Sequence, residues 1–281
     1  MVDELNISTL TAGPIISLHP LVKADFNFWA FSAINDELLS CFSRARIVIW
    51  PQVFPSQFYF YACQMGLHSF PNYEARFKFP GKSGQMLLFK SLGLPYPETI
   101  FFPKLAALGE HPDAISVNFP PFPFVLKTDD EHEGQGVFLV KDEKTWQTAL
   151  SHIKKREREG HFGFLIQEFL QAPYDLRVVV IGKEFLPFWR ALGPDFKTNL
   201  AQGGKPISCP EKPLETQALS LTHELCQKTG INLAAIDFLI HSQKGTVLNE
   251  INYVFGRRLL GNSFNELFFK AVKDFLRSLE K

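Results

Sequence analysis

Nowhere in the 281-residue chain do apolar residues run uninterrupted for the roughly 18 positions that a membrane-spanning helix requires. The first residues, Met1 to Leu10, hold Asp3 and Glu4 and no basic cluster ahead of an apolar stretch. The expectation is an unexported, cytoplasmic protein with no membrane role. Charge of one sign is also lacking. The 29 Lys plus Arg balance the 29 Asp plus Glu, so no global field draws the chain toward nucleic acid. Cys41, Cys63, Cys209 and Cys226 are too scattered for a structural zinc or CxxC redox motif and read as reduced thiols. No Ser-His-Asp or Cys-His arrangement stands out, and the histidines show no metal spacing. What is abundant is apolar: 46% of residues against 21% charged, which places the chain among folded proteins rather than disordered ones. Its length allows one large domain or two to three small ones. The 29 phenylalanines read chiefly as core packing, the remainder as pocket wall.

Ile15 to Leu18 and Arg46 to Trp50 read as short buried strands with a helix from Phe26 to Phe42 between them, a βαβ beginning. A helix near Ser56 to Met65 follows, and residues 1–78 look like a small α/β domain. Lys82 to Leu92 suits a helix closed by Gly93. Strands are expected at Phe124 to Lys127, Gly136 to Val140, Phe164 to Glu168, Leu176 to Ile181 and Glu184 to Ala191, with a solvated charged helix from Glu143 to Glu159. Beyond a Gly/Pro-rich loop at 193–213 come a helix from Leu214 to Thr229, strands at Leu233 to Ile240 and Thr246 to Ile251, and a closing helix from Asn265 to Lys281.

The last two strands are the most informative. Side chains alternate along a strand, so Glu250 and Asn252 share a face that excludes Ile251. If the Ser242-to-Gly245 turn makes Asp237 and Glu250 cross-strand partners, two carboxylates and an amide oxygen converge. That donor set suits a hard dication such as magnesium, and the facing carboxylates would repel without a counter-charge. The alternative is a solvated outer face. Lys127 ends an apolar strand and is followed by Gly134, Gln135 and Gly136, a lysine and glycines able to meet phosphate. Taken alone, a strand-terminal lysine before a glycine turn is more often a surface residue. Gln167, Glu168, Phe169 and Leu170 end a strand where backbone groups could pair with an adenine edge. Asp175 and Arg177, with Arg190 on the next strand, need partners in a mostly apolar sheet, either in a polar cavity or in a structural salt bridge.

The order of these elements, with Phe196 to Leu200, Gly203 and Gly204 between Arg190 and Asp237, resembles the ATP-grasp superfamily, most nearly its RimK-type glutamate ligases and the related glutathione synthetases. The resemblance covers about residues 80–260 and is weak before them. It implies an α+β ATP-grasp fold of two subdomains, 79–168 and 169–281, behind the N-terminal domain. Lys127, with Lys82 as a second basic partner, would hold phosphate oxygens, and Glu168 to Leu170 would border adenine. Asp175 would lie near the ribose, and the loop around Gly134 to Gly136 would close as a lid. Asp237, Glu250 and Asn252 would hold magnesium or manganese, and Arg190 and Asn199 would line the acceptor and γ-phosphate side.

The implied activity is ATP-dependent joining of a small-molecule or peptide carboxylate to an amine through an acyl phosphate, with a homo-oligomer left open. Two departures stand out. The family has a small turn soon after Glu-x-Asn, whereas this chain reads Tyr253-Val254-Phe255-Gly256-Arg257-Arg258, so Arg257 and Arg258 become candidates for an anionic acceptor group. The phosphate loop is also acidic, with Asp129, Asp130, Glu131 and Glu133. A small-molecule kinase on the same fold and a non-catalytic nucleotide-binding module remain alternatives.

Overall fold

In the computed structural model of the protein, residues 4–8, 13–29, 35–109, 119–131, 136–172, 174–191, 205–261 and 263–280 are described. The chain opens with short strands in two small parallel sheets. β1 (Leu5–Asn6) pairs with β3 (Val22–Lys23), while β2 (Ile15–Ser17), β4 (Phe26–Asn27), β5 (Ile47–Ile49) and β6 (His68–Phe70) join in the order β4-β2-β5-β6. The runs Ile-Ile-Ser and Ile-Val-Ile lack polar alternation because both faces are covered. Ile16 and Val48 enter one core, while Ile15, Ile47 and Ile49 enter another. Helices α1 (Asp36–Arg44) and α2 (Ser56–Gln64) lie along the crossovers.

The helix expected from Phe26 starts at Asp36 instead. Asn35 caps it by accepting from the Leu38 N–H at 3.0 Å, and Asp36 and Glu37 meet the positive end of the helix dipole. Phe26 belongs to the edge strand of the sheet.

After α3 (Glu74–Lys78) and α4 (Gly81–Leu92) comes an antiparallel sheet of β7 (Thr99–Phe102), β8 (Phe124–Thr128), β9 (Val137–Val140) and β10 (Phe164–Glu168), in the order β7-β10-β8-β9. Its even-numbered side chains Phe124, Leu126, Phe164 and Ile166 bury against Trp146, Leu150 and Ile153 of α5 (Glu143–Arg158). Alternation leaves Val125, Lys127, Leu165 and Gln167 for the opposite face.

The second antiparallel sheet is formed by β11 (Tyr174–Ile181), β12 (Glu184–Ala191), β13 (Lys205–Ile207), β14 (Leu233–His241) and β15 (Gly245–Asn252), in the order β13-β12-β11-β14-β15. β13 lies within the stretch expected to be loop; its Pro206 is tolerated because, among the described residues, β13 is an edge strand paired only with β12. Leu176, Val178, Val180, Ile236 and Phe238 pack toward α6 (Lys212–Thr229). From the other face Val179, Ile181, Leu233 and Ala235 meet Phe264, Phe268 and Val272 of α7 (Ser263–Ser278). The β11–β12 turn tucks beneath α7 at Gly182, where φ is 62° and an added Cβ would lie 2.6 Å from the Ala271 Cβ. Among the described residues no helix is long and apolar enough to cross a membrane.

Candidate functional site

A single extra residue in β15 decides which side chains meet. From the turn inward the β14–β15 register runs His241 with Gly245, Ile240 with Thr246, Leu239 with Val247 and Phe238 with Leu248. Continued unchanged, it would set Asp237 opposite Asn249 and turn Glu250 to the far face. The register instead shifts between Asp237 and Phe238, so that Asp237 pairs with Glu250 and Asn249 is the extra, unpaired residue. A bulge of this kind re-aims side chains. The turn alone does not produce the expected convergence of Asp237, Glu250 and Asn252; the bulge does.

Asp237 is not left facing Glu250 without counter-charge, as the sequence suggested. Its carboxylate accepts from Arg177 Nε and Nη2, both at 2.7 Å, from Arg190 Nη2 at 3.1 Å and from Asn252 Nδ2 at 2.9 Å. Burial opposes ionisation of Asp237, but Arg177 and then Arg190 outweigh it and hold the carboxyl below its ordinary range. Asp175, expected near a ribose, is 1% exposed and closes on Arg190 through both carboxylate oxygens. Arg190 is equally buried, so it bridges Asp175 and Asp237 rather than presenting itself to the open side. The cross-strand register produces this network: Asp175 sits opposite Arg190, and Arg177 opposite Asp237. Glu250 is half-buried, and its side-chain carboxylate makes no hydrogen bond among the described residues. The Asn252 amide, by donating to Asp237, turns its Oδ1 away from that carboxylate.

Facing this edge is a cleft of about 380 Å³. Lys82, Gln85, Met86 and Phe89 line it at the i, i+3, i+4, i+7 spacing of one helix face. Lys127 and Leu165 come from the open face of the β7–β10–β8–β9 sheet, and Asn249 and Glu250 from β15. Lys127 donates to Asn249 Oδ1 at 3.0 Å. Burial pushes the Lys127 ammonium down to about 8; nearby Glu250 resists the shift and Lys82 adds to it. Asn249, Gln85 and the apolar walls were missed from sequence. The periodicity of α4 carried a signal for the helix residues, whereas nothing marked Asn249 as a bulge.

At the far end of the cleft the Glu168 carboxylate accepts from the Glu98 N–H at 2.7 Å and from Lys244 Nζ, tying β10 to the β14–β15 turn. Gln167 donates to Thr99 Oγ1 at 2.8 Å, and Phe169 and Leu170 continue from the strand end half-buried and buried. The acidic loop folds back on its own subdomain. Asp129 accepts from Ser83 N at the start of α4, Asp130 from Arg156, and Glu131 from Thr128 Oγ1 at 2.6 Å. Gly136 is required by that closure, since a Cβ there would lie 1.7 Å from Thr128 Oγ1. Gly134, Gln135 and Asn199 lie outside the described residues. The Arg257 guanidinium rests 4.2 Å over the Phe264 ring, and Arg258 is exposed. The structure therefore joins Lys82, Lys127 and Glu250 in one cleft, and leaves Arg257 on the α7 side.

Comparison with known proteins gives this geometry its context. The chain is 30% identical over 169 residues to the glutamate–LysW ligase ArgX of Sulfurisphaera tokodaii, covering 58% of this chain and 56% of that one. It is 26% identical over 168 residues to the N-acetylaspartylglutamate synthase A of Homo sapiens, covering 57% and 39%. The chain thus spans about half or less of these curated relatives. Among solved structures, a RimK domain ATP-grasp protein from Sphaerobacter thermophilus aligns at TM-score 0.57 and 17% identity, covering 82% of this chain and 81% of that one. The N5-carboxyaminoimidazole synthetase of Staphylococcus aureus, complexed with ADP, aligns at 0.62 and 14%, covering 89% and 73%. At such identities these structures establish the fold, and it is the ATP-grasp fold. The family model for the RimK-like ATP-grasp domain matches residues 83–262, which span nearly all of α4, both antiparallel sheets and the lining of the cleft except Lys82, so the chain belongs to the RimK-like ATP-grasp family.

Proposed function

We propose that this chain binds ATP with magnesium or manganese in the cleft beneath α4 and joins a carboxylate to an amine. The observation that carries this reading is the pairing, in one cleft with apolar walls, of Lys82 and Lys127 with Glu250, which Asn252 follows two residues on along β15. Lysines meet phosphate oxygens, and the Met86, Phe89 and Leu165 surface suits a purine ring.

The donor chemistry fits a hard dication. Glu250 has no competing hydrogen bond among the described residues, and Asn252 has a free carbonyl oxygen two residues on. Asp237, saturated by two guanidiniums and an amide, orients Asn252 and would ligate only by giving up one of them. The bound cation would neutralise phosphate charge during transfer. In the proposed reaction a carboxylate oxygen attacks the γ-phosphorus and ADP leaves. The amine nitrogen then attacks the acyl carbon, inorganic phosphate leaves, and the amine loses a proton. Lys127 holds phosphate oxygens, while Arg177 and Arg190 fix the face on which Glu250 and Asn252 stand. Positioning supplies most of the catalysis.

The names of the relatives favour an amino acid or a peptide among the substrates, with glutamate as the first amine to test. In this reading 79–168 is the lid subdomain, 169–281 carries the cation site, and a homo-oligomer is compatible. Phosphate accounting tests the proposal: with L-glutamate and a panel of carboxylic acids, ADP and inorganic phosphate should appear in equal amounts only when acid and amine are both present. Transfer of phosphate to a stable hydroxyl ester would assign a kinase instead, and ATP binding without any turnover on the panel would count against the ligase.

A further inference from the structure

We propose that Arg76 and the side-chain amide of Gln52 form an anion subsite that anchors a second carboxylate of the acceptor, remote from the one that reacts. The inference rests on the ligase reading and names its substrate class as a dicarboxylic acid.

Arg76, on α3, is half-buried with its guanidinium over the rings of Tyr73 at 5.1 Å, Phe77 at 5.1 Å and Tyr253 at 5.9 Å. Its hydrogen bond among the described residues runs from Nη1 to the Gln52 carbonyl oxygen at 2.7 Å, and no carboxylate pairs with it. Arg156, Arg177 and Arg190, by contrast, each close on an aspartate. A desolvated cation without an anion is costly, and burial does pull the Arg76 guanidinium below its ordinary range. On the residues that Arg76 touches, Gln52 Nε2, Tyr73 Oη and Tyr253 Oη are buried and have no hydrogen-bond partner among the described residues. Burial pushes both phenols well above their ordinary range, so they remain protonated donors. The cluster thus combines a guanidinium and three idle donors with few acceptors, a composition that an anion completes.

Its location matches a substrate subsite. Gln52 follows β5 and Arg76 follows β6, at the carboxyl ends of parallel strands, where open α/β sheets bind ligands. Gln52 Oε1 accepts from the Phe255 N–H at 3.4 Å, and Phe255 lies three residues beyond Asn252, a reach of at most about 10 Å. The departure from the family pattern at Tyr253 and Phe255 is therefore part of this subsite. The residues next in sequence to Gln52 and Tyr253, Val53 and Val254, are exposed.

The test uses the full chain with Mg²⁺ and a non-hydrolysable ATP analogue, titrated with glutarate, with butyrate and phosphate as controls. The ¹⁵Nε resonance of Arg76, identified by its contacts to the Tyr73 and Tyr253 ring protons, should move with glutarate. Butyrate should bind at least about tenfold more weakly, the loss of one charge-assisted pair. Arg76→Lys and Gln52→Met should weaken glutarate by similar factors while leaving the analogue's affinity unchanged. Because the resonance is read in the wild-type chain, a variant that misfolds leaves the test standing. An unmoved Arg76 resonance at saturating glutarate, an equal response to phosphate, or only an ordered water at the cluster in a co-crystal would overturn the subsite. Failure of the nucleotide analogue to bind would instead overturn the ligase reading, since the glutarate titration is read separately.

Discussion

One face of the five-stranded sheet holds two regions of opposite chemistry, and they occupy the same strands. Toward one end of β11 and β14, Val179, Ile181, Leu233 and Ala235 lie sealed beneath α7. Toward the other, with the alternation unbroken, Asp175, Arg177 and Asp237 stand beside Arg190, Glu250 and Asn252. Strand geometry is the same in both; what differs is the cover. Where the helix ends and the cleft begins, apolar burial gives way to paired charge. Buried ion pairs add little net stability over apolar packing, so the network is better understood as holding the geometry of the face.

The comparison is most severely tested by removing one residue from each region. Phe268→Ala, which empties a fully buried aromatic site, should cost about 3–5 kcal/mol in chemical denaturation. Arg190→Met should cost about 3–5 kcal/mol as well, because Asp175 and Asp237 lose a buried partner. A cost under about 1 kcal/mol for Arg190→Met would show that the ionic region is not a closed network. Next in size, Glu250→Gln should leave stability unchanged and lower turnover about a hundredfold, roughly 2.7 kcal/mol, measured as ADP release. Equal losses of stability and turnover would erase the distinction between the network and the open carboxylate.

A smaller effect sharpens the comparison across the cleft. Lys127 has its free-protein value depressed to about 8, and a bound polyphosphate favours its charged form. Raising the pH through 8 removes that charge from the free chain, so ATP affinity should fall by up to about tenfold per unit, or about 1.4 kcal/mol. Calorimetry from pH 7 to 9.5 checks this, and Lys127→Met should flatten the profile. The linked effect on folding has the opposite sign: between pH 8 and the unfolded value the native chain binds fewer protons, so ligand-free stability should rise. The smallest change belongs to the exposed Lys270–Glu184 pair on the solvent side of α7. Lys270→Ala should leave the denaturation midpoint indistinguishable from that of the parent in the same assay.

Much of this was legible in the sequence because period-two alternation is a property of the residues themselves. Glu250, Ile251 and Asn252 announce their faces, and Asp175, Arg177 and Arg190 announce that they need partners. What the sequence left open is how the strands register. Hairpin counting from His241 and Gly245 places Asp237 opposite Asn249, and only the bulge puts Glu250 there. The counter-charge of Asp237 came likewise from strands distant in sequence. Helix α1 was begun too early because Phe26 and Phe28 satisfy helical spacing and strand spacing alike over so short a stretch. β13 was hidden by a proline- and glycine-rich composition that an edge strand tolerates.

Gln85 gives the cleft a mechanical property. Its side-chain Nε2 donates to the Ile251 carbonyl at 2.9 Å, and its Oε1 accepts from the Ile251 N–H at 2.7 Å. A primary amide thus takes the place of a neighbouring peptide unit on the outer edge of β15, closing at that residue an edge that could otherwise template another strand. It also fastens α4 to the strand that bears Glu250 and Asn252. At its other end α4 is held to the loop after β8, where Ser83 N and Lys82 Nζ donate to Asp129 and to the Glu131 carbonyl, so one helix links the Lys127 sheet to the strand bearing Glu250, and any change in cleft width must strain or break one of the two attachments.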